Sequence, residues 1–189
     1  ITTWQNYLTY HYLEVHAAVL PTALDLERFD FYGRTPYGQP QPRERWKRAV
    51  QAVNGALGEA IGSIYVQRHF PPEAKEQMRQ LVENLRTAYG QRIDALSWMS
   101  AETKVAAREK LATFRPKIGY PTKWRDYSTI EIRKDDLTGN MLRAIEADAA
   151  FQLAKVGKAV DPEEWGMTPQ TINAYYNPIR NEIVFPAAI

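Results

Sequence analysis

Three histidines are the side chains of this sequence best suited to bind a metal ion, and two of them lie close together. His11 and His16 bracket Glu14, an arrangement superficially like a helical zinc-binding motif. Two ligands on one helix face must be three or four residues apart. A separation of five places the rings about 140° apart around the helix axis. We therefore expect His11 and His16 to be partly exposed, metal-free side chains on a helix surface, and His69 to be a loop residue.

The remaining polar residues form no complete catalytic site. Glu163-Glu164 and Asp135-Asp136 lie in turn-like regions and are expected to be solvated, and no carboxylate pair stands in an otherwise apolar setting. Gly55, Gly58 and Gly62 lie inside a helical pattern, whereas a phosphate-binding loop lies between a strand and a helix. No serine occupies the sharp strand-to-helix turn of a nucleophile elbow.

The best candidate for chemistry is Asn173, in a terminal segment whose pattern changes from helix to strand. Thr171 to Tyr176 and Glu182 to Phe185 favour strands, with a turn at Asn177-Pro178. Asparagine is disfavoured in strands, and its amide can both donate to and accept from a peptide backbone. An exposed edge strand can also pair with an extended peptide. The alternative is that Asn173 only satisfies a nearby backbone group.

Helices must position this segment, because apolar residues recur at spacings of three and four over most of the chain. Helices are predicted over residues 3–20, 46–64, 72–96, 101–114 and 138–157. Residues 29–42 and 115–137 are rich in proline and glycine and are predicted as connections. The glycines of the second helix lower its intrinsic stability, so we expect close contact with a neighbour there. No other segment predicts a strand, so the two terminal strands must pack on something else.

Composition excludes several classes of function. The 24 basic and 22 acidic side chains are interspersed along the chain, which argues against a nucleic-acid-binding patch. The absence of cysteine excludes disulfides and thiolate metal sites. No run of about 18 apolar residues could span a membrane. Because Ile1 opens directly into an amphipathic pattern without a signal peptide, we expect a fragment or a processed product.

The terminal segment resembles a known family. Asn173-Ala-Tyr-Tyr176, followed by Asn181-Glu-Ile-Val-Phe-Pro-Ala187, is similar to the segment that precedes the zinc motif in the neprilysin and endothelin-converting-enzyme family of zinc metallopeptidases. Further family landmarks occur in the same order along the chain, namely Gly62-Ser-Ile-Tyr-Val66, Trp98-Met-Ser-Ala-Glu-Thr-Lys104, Lys117-Ile-Gly-Tyr-Pro121 and Glu164-Trp165. Phe29-Asp-Phe-Tyr-Gly33 with Arg45-Trp-Lys-Arg48 most resembles the bacterial oligopeptidase O-like branch.

The resemblance implies a mainly α fold, the helical lobe of a two-lobed zinc metalloendopeptidase that cleaves oligopeptides. Residues 1–165 would form the lobe that restricts substrate size. Residues 166–189 would form an incomplete strand-turn-strand edge of the catalytic lobe. The resemblance assigns the Asn173 side chain and the Ala174 backbone to the substrate backbone, and Ile189 to the pocket for the side chain after the cleaved bond.

The resemblance also implies what these residues lack. The family's His-Glu-x-x-His helix and its third zinc ligand, a glutamate, come after this segment. The resemblance therefore implies zinc in a complete enzyme, and neither a bound metal nor activity in this chain alone. The absence of cysteine departs from the disulfide-bonded animal enzymes of the family and favours a bacterial source. The expected location is the periplasm, the cell surface or the secreted fraction, with the cytoplasm as the alternative.

The expected partners are a peptide substrate and either the missing C-terminal catalytic half or a second copy. The second copy would bind through the terminal hairpin, where Ile183, Val184 and Phe185 should seek a partner. Neither a nucleic acid nor a membrane-spanning segment is expected. A second hypothesis is a non-catalytic helical interaction module that kept the scaffold. A His-Glu-x-x-His motif soon after Ile189 in the parent reading frame would support the enzyme and eliminate the module.

Overall fold

A computed structural model of the chain describes all 189 residues, Ile1–Ile189, and most of them are helical. The helices are α1 (Thr2–His16), α2 (Thr22–Phe29), α3 (Thr35–Tyr37), α4 (Arg45–His69), α5 (Pro72–Ala95), α6 (Ala101–Ala112) and α7 (Leu137–Leu153). A 3₁₀ turn at Ala17–Val19 follows α1, and a π-helical turn at Asp30–Arg34 follows α2. The strands are β1 (Arg115–Gly119), β2 (Tyr175–Asn177) and β3 (Glu182–Pro186). The fold is therefore mainly α with a C-terminal β-hairpin, as predicted.

The chain divides into two compact units, the first of which comprises Ile1–Ala56 and Tyr127–Gly157. Within it, Thr138 Oγ1 donates to the Val19 carbonyl at 2.8 Å and fastens the start of α7 to the end of the first helical segment. Asp136 caps α7, because its Oδ1 accepts from Gly139 N at 2.9 Å. This unit is therefore built from two segments far apart in the sequence.

The predicted loop at residues 29–42 is wrong in its first half, where the chain stays helical as far as Tyr37. Pro36 is the second residue of α3, which directly follows the π-helical turn. Gly33 is buried against the Phe29 ring, since a Cβ there would lie 2.6 Å from Phe29 Cε2. The helical run ends at Gly38, whose φ of 62° is left-handed.

The second unit comprises Leu57–Asp126 and Lys158–Ile189. It begins at Leu57, where non-helical angles of φ −130° and ψ 38° bend α4. α5 begins at Pro72, as predicted. Ser100 caps α6 by accepting from Thr103 N at 3.2 Å. Each compact unit consists of two separated segments of the chain. This division does not test the predicted boundary between residues 165 and 166, which stays a prediction.

The sheet of the second unit has the strand order β1-β3-β2, with β1 parallel and β2 antiparallel to β3. The prediction of residues 115–137 as a connection is therefore wrong at Arg115–Gly119. Pro116 is tolerated there because β1 is an edge strand that needs no N–H on its outer side. The central strand β3 carries Val184, which is 0% exposed. The hairpin thus packs on β1, and the expectation that Val184 seeks a partner outside the chain is wrong.

Candidate functional site

Asn173 and Ala174 lie directly before β2, at the edge of the sheet. β3 separates β2 from β1, so the outer side of β2 pairs with no strand of this chain. The predicted strand from Thr171 is wrong in its first half, because Asn173 N donates to the Thr171 carbonyl at 2.9 Å and closes a tight turn. Backbone groups used in such a turn cannot join a ladder.

The Asn173 side chain is exposed, and one of its two polar atoms forms a hydrogen bond within the chain. Its Oδ1 accepts from Ala174 N at 2.8 Å. Its Nδ2 contacts no acceptor in this chain. The amide oxygen therefore satisfies a nearby backbone group, which was the alternative interpretation of this residue. The nitrogen is nevertheless left as a donor that can reach a carbonyl outside the chain.

Ile189 lies at the same end of the sheet. β2 and β3 are antiparallel and Tyr175 pairs with Val184, so the start of β2 and the end of β3 lie at the same end of the sheet. Ile189 follows three residues later, is 58% exposed, and donates from its N to the Pro186 carbonyl at 3.3 Å. The hairpin register thus brings the three predicted site residues to one end of the sheet.

A glycine face on α4 holds the chain just upstream of Asn173. A Cβ on Gly62 would lie 2.7 Å from Pro169 Cδ, and one on Gly58 would lie 2.8 Å from Thr168 Cγ2. Gln170 Nε2 donates to the Gly58 carbonyl at 2.9 Å. The prediction of close contact is confirmed at Gly58 and Gly62. It is wrong at Gly55, which has open space around it.

A buried ion pair in this sheet escaped the sequence analysis. Lys117 Nζ lies 2.9 Å from Glu182 Oε2, and the two side chains are 7% and 1% exposed. Only pairs of carboxylates were considered from the sequence, and Glu182 was not singled out. The signal was alternation, because Glu182 shares a strand face with Val184 and Pro186. Its partner on β1 could not be identified because β1 was not predicted.

Tyr175, the first residue of β2, connects the same sheet to a loop. Its hydroxyl oxygen accepts from Gly166 N at 2.8 Å. Burial raises the pKa of the Tyr175 phenol, an effect that the Gly166 hydrogen bond partly opposes. The phenol therefore stays protonated at neutral pH.

The histidines of α1 lie in the other unit and differ from each other. His11 is half exposed and its Nδ1 lies 3.1 Å from Glu14 Oε2, as expected. A hydrogen bond from Tyr32 is the main reason why the pKa of Glu14 is lowered. The same hydrogen bond is the main reason why the pKa of Tyr32 is raised to about 12. His16 is buried and its Nδ1 bonds the Tyr12 carbonyl at 2.7 Å. The prediction of an exposed His16 is wrong because residues of α2 and α7 line the same groove.

Zinc does not fit the residues present. No three His, Cys, Asp or Glu side chains lie close enough together to hold a metal ion. The chain also contains no helix with the length and apolar character needed to cross a bilayer. The candidate site is therefore a polar sheet edge that contains no cluster of metal ligands.

Comparison with known proteins identifies the family. Residues 1–121 match the model of the N-terminal domain of peptidase family M13. The chain is 34% identical to neprilysin of Mus musculus over 161 residues, which cover 81% of this chain and 22% of neprilysin. The inhibitor-bound zinc metalloprotease Zmp1 of Mycobacterium tuberculosis superposes with a TM-score of 0.90 at 49% identity, over 98% of this chain and 28% of Zmp1.

PepO of Lactobacillus rhamnosis superposes with a TM-score of 0.84 at 30% identity, over 93% of this chain and 28% of PepO. The chain thus spans less than a third of the length of each of these three relatives. The agreement of family model, sequence and structure leads to one conclusion. The chain belongs to peptidase family M13, whose members are neprilysin-like zinc metallopeptidases.

Proposed function

We propose that this chain is the part of a zinc metalloendopeptidase that restricts substrate size and orients oligopeptides, while residues outside it hold the zinc. The observation that carries the proposal is the position of Asn173 and Ala174 beside the unpaired edge of β2. An extended peptide that adds to such an edge forms main-chain hydrogen bonds. Similarity to Zmp1, described as a zinc metalloprotease, supports the reaction class.

In this proposal Asn173 binds the peptide through its free nitrogen. Ala174 N already holds Oδ1, so the amide plane is oriented before a substrate arrives. Nδ2 then donates to a substrate carbonyl, and Ile189 contacts the side chain that follows the cleaved bond. Orienting the amide in advance reduces the entropy lost on binding. The zinc, when held by the rest of the enzyme, supplies the Lewis acid for hydrolysis.

The helical part, residues 1–165, is proposed to limit which peptides reach this edge. The partners in this proposal are the peptide and the remaining catalytic part of the enzyme, with a second copy through the hairpin as the alternative. A periplasmic, cell-surface or secreted location in a bacterium belongs to the same proposal, which is supported by similarity to a membrane metallo-endopeptidase-like protein.

The test is substitution of Asn173 in the full natural polypeptide loaded with zinc. Asn173→Ala should lower kcat/KM for several peptides. The ratio of the kcat/KM values should correspond to a loss of about 1–3 kcal/mol of transition-state stabilisation, as for a lost substrate hydrogen bond. Asn173→Asp keeps an oxygen for Ala174 N but loses the nitrogen donor. It should therefore lower kcat/KM at least as much, because a carboxylate repels the substrate carbonyl.

Asn84→Ala is the matched control, since Asn84 is an exposed asparagine of α5 whose Oδ1 only accepts from Gln80 at 3.0 Å. Its kcat/KM should equal that of the unmodified enzyme. Full activity of Asn173→Ala on every peptide would refute the assigned role. Full activity of Asn173→Asp alone would show that the oxygen, not the nitrogen, binds the substrate.

A further inference from the structure

The buried pair Lys117–Glu182 connects two strands of the sheet to a loop. Lys117 lies on β1, and its Nζ contacts Glu182 Oε2 on β3 at 2.9 Å. The same Nζ donates to the Glu164 carbonyl at 2.8 Å. One ammonium group therefore holds both a neighbouring strand and the loop of residues 161–166, which we name the clamp loop.

The clamp loop also contacts β2 and the turn before β3. On the β2 side, Gly166 N donates to the Tyr175 hydroxyl at 2.8 Å. In the turn before β3, Arg180 Nη1 donates to the Asp161 carbonyl at 3.2 Å and lies 3.9 Å from Glu182 Oε1. The Glu182 carboxylate thus lies between two cations, Lys117 and Arg180. The clamp loop bonds directly to β1 and β2, and it is linked to β3 through these two cations.

A buried ion pair is weak evidence for stability, because desolvation of the two charges opposes their attraction. Its best-attested use is to specify one register. In the observed register Lys117 lies opposite Val184, and Glu182 is two residues away on the same face of β3. A one-residue slip of β3 would turn Glu182 and every other β3 side chain to the other face, away from Lys117. β2 pairs only with β3, over three residues. The position of β2 therefore depends on the register that the pair selects.

We propose that Lys117 and Glu182 are positioning residues that set the place of Asn173 for peptide binding. This inference rests on the proposed function. The two side chains touch no substrate, and they act through β3, the clamp loop and Tyr175. A displacement of about 1 Å at a substrate-orienting group can cost about 100-fold in rate. Loss of the buried pair should consequently reduce activity in molecules that remain folded.

The experiment uses the full natural polypeptide loaded with zinc and the variants Lys117→Met and Glu182→Gln. Kinetics are measured at a temperature where circular dichroism shows each variant folded, and at equal zinc content. We expect kcat/KM to fall about 10- to 100-fold in each variant. In an Asn173→Ala background the same substitutions should cause little further loss, because they act through Asn173.

The matched control removes the exposed pair between the same strand and the same loop, Arg115–Glu163, which is half exposed at 3.2 Å. Arg115→Met and Glu163→Gln should leave kcat/KM within about twofold, since exposed pairs contribute little. If Lys117→Met does not fold, Glu182→Gln, which keeps the side-chain shape, carries the test alone. Faster amide exchange at Tyr175–Asn177 in that folded variant is the accompanying structural readout.

Two failures are distinguishable. If Asn173→Ala has full activity, the proposed function fails. If Asn173→Ala is impaired but folded Glu182→Gln has kcat/KM within about twofold of the unmodified enzyme, only the positioning role is refuted. Equal losses from Glu182→Gln in the native and Asn173→Ala backgrounds would also refute it, because they would show an effect independent of Asn173.

Discussion

Asn173 and Asp136 are both short polar side chains that accept a hydrogen bond from a backbone N–H a few atoms away. Their remaining polar atoms distinguish them. Asp136 Oδ2 is taken by Arg143 Nη1 at 3.0 Å, so this carboxylate is used up within the chain. Asn173 keeps a free nitrogen at the sheet edge. The partners of the second polar atom thus separate a structural cap from a candidate binding residue.

At the residue scale, Asp136→Ala should lower the thermal stability of the chain by a few degrees at pH 7, about the effect of a lost helix cap. The Gly139 N–H, and then Arg143, hold the pKa of Asp136 below its ordinary value of 3.8. A depressed carboxyl pKa stabilises the fold above pH 3.8, and this contribution disappears as the pH falls through the folded-state pKa.

The difference in Tm between the parent chain and Asp136→Ala should therefore shrink on acidification below about pH 3.8. Calorimetry at several pH values measures it. Asp135→Ala is the control, because the Asp135 carboxylate, next to Asp136 in the sequence, caps no helix. A Tm difference that persists unchanged in acid would contradict the assigned role of the Asp136 charge.

Among the elements, α4 shows how one helix can position a distant segment. Its glycines have no side chain at the positions that Thr168 and Pro169 approach. Ala188 N donates to the Pro169 carbonyl at 3.0 Å. Helix, connecting segment and terminal residues therefore meet at Pro169, which is buried. The approach is close because glycine has no Cβ, and it fixes the chain four residues before Asn173.

Gly62→Ala should destabilise the second unit by about 1–3 kcal/mol, although alanine is the better helix former, because the new Cβ overlaps the rigid Pro169 ring. Gly55→Ala provides the matched control within the same helix. Nothing lies within 4 Å of that position, so alanine should stabilise by about 0.5–1 kcal/mol. Urea unfolding gives both values. Equal stability changes for the two variants would refute the close-contact explanation.

On the scale of the whole chain, neither compact unit brings three potential metal ligands together. The three histidines have other contacts, His11 with Glu14, His16 with the Tyr12 carbonyl and His69 with the Tyr65 ring. None of these places a third ligand nearby. Chemistry that requires zinc therefore depends on residues outside these 189.

Removal of metal should consequently leave this chain unaffected. A ligand that binds only the folded state raises Tm, so a zinc-free chain should show the same Tm in EDTA, in buffer and with added zinc. Differential scanning fluorimetry tests this, with elemental analysis after gel filtration to measure bound zinc. One zinc per chain, or a clear fall of Tm in EDTA, would reveal a metal site that the structure does not contain.

The sequence by itself determined the helices and the site candidates. Apolar spacing, the Ser100 cap and Pro72 act within a few residues, so local patterns located α4 to α7 to within a few positions. The ordered landmarks identified the family, and Asn173 stood out because a polar amide lay in a run of strand-forming residues. The helical continuation to Tyr37 was missed because the proline and glycine residues there predict a loop. The chain instead forms a π-helical turn that tertiary contacts stabilise.

Only the tertiary structure decided which distant segments meet. β1 forms because Arg115–Gly119 pairs in parallel with β3, and neither its proline nor its short length predicts a strand. The partner of Glu182, the neighbour of Gly62 and the burial of His16 likewise depend on residues far along the chain. Strand register, buried ion pairs and glycine contacts are non-local interactions. Local propensity contains no information about them until the backbone is folded.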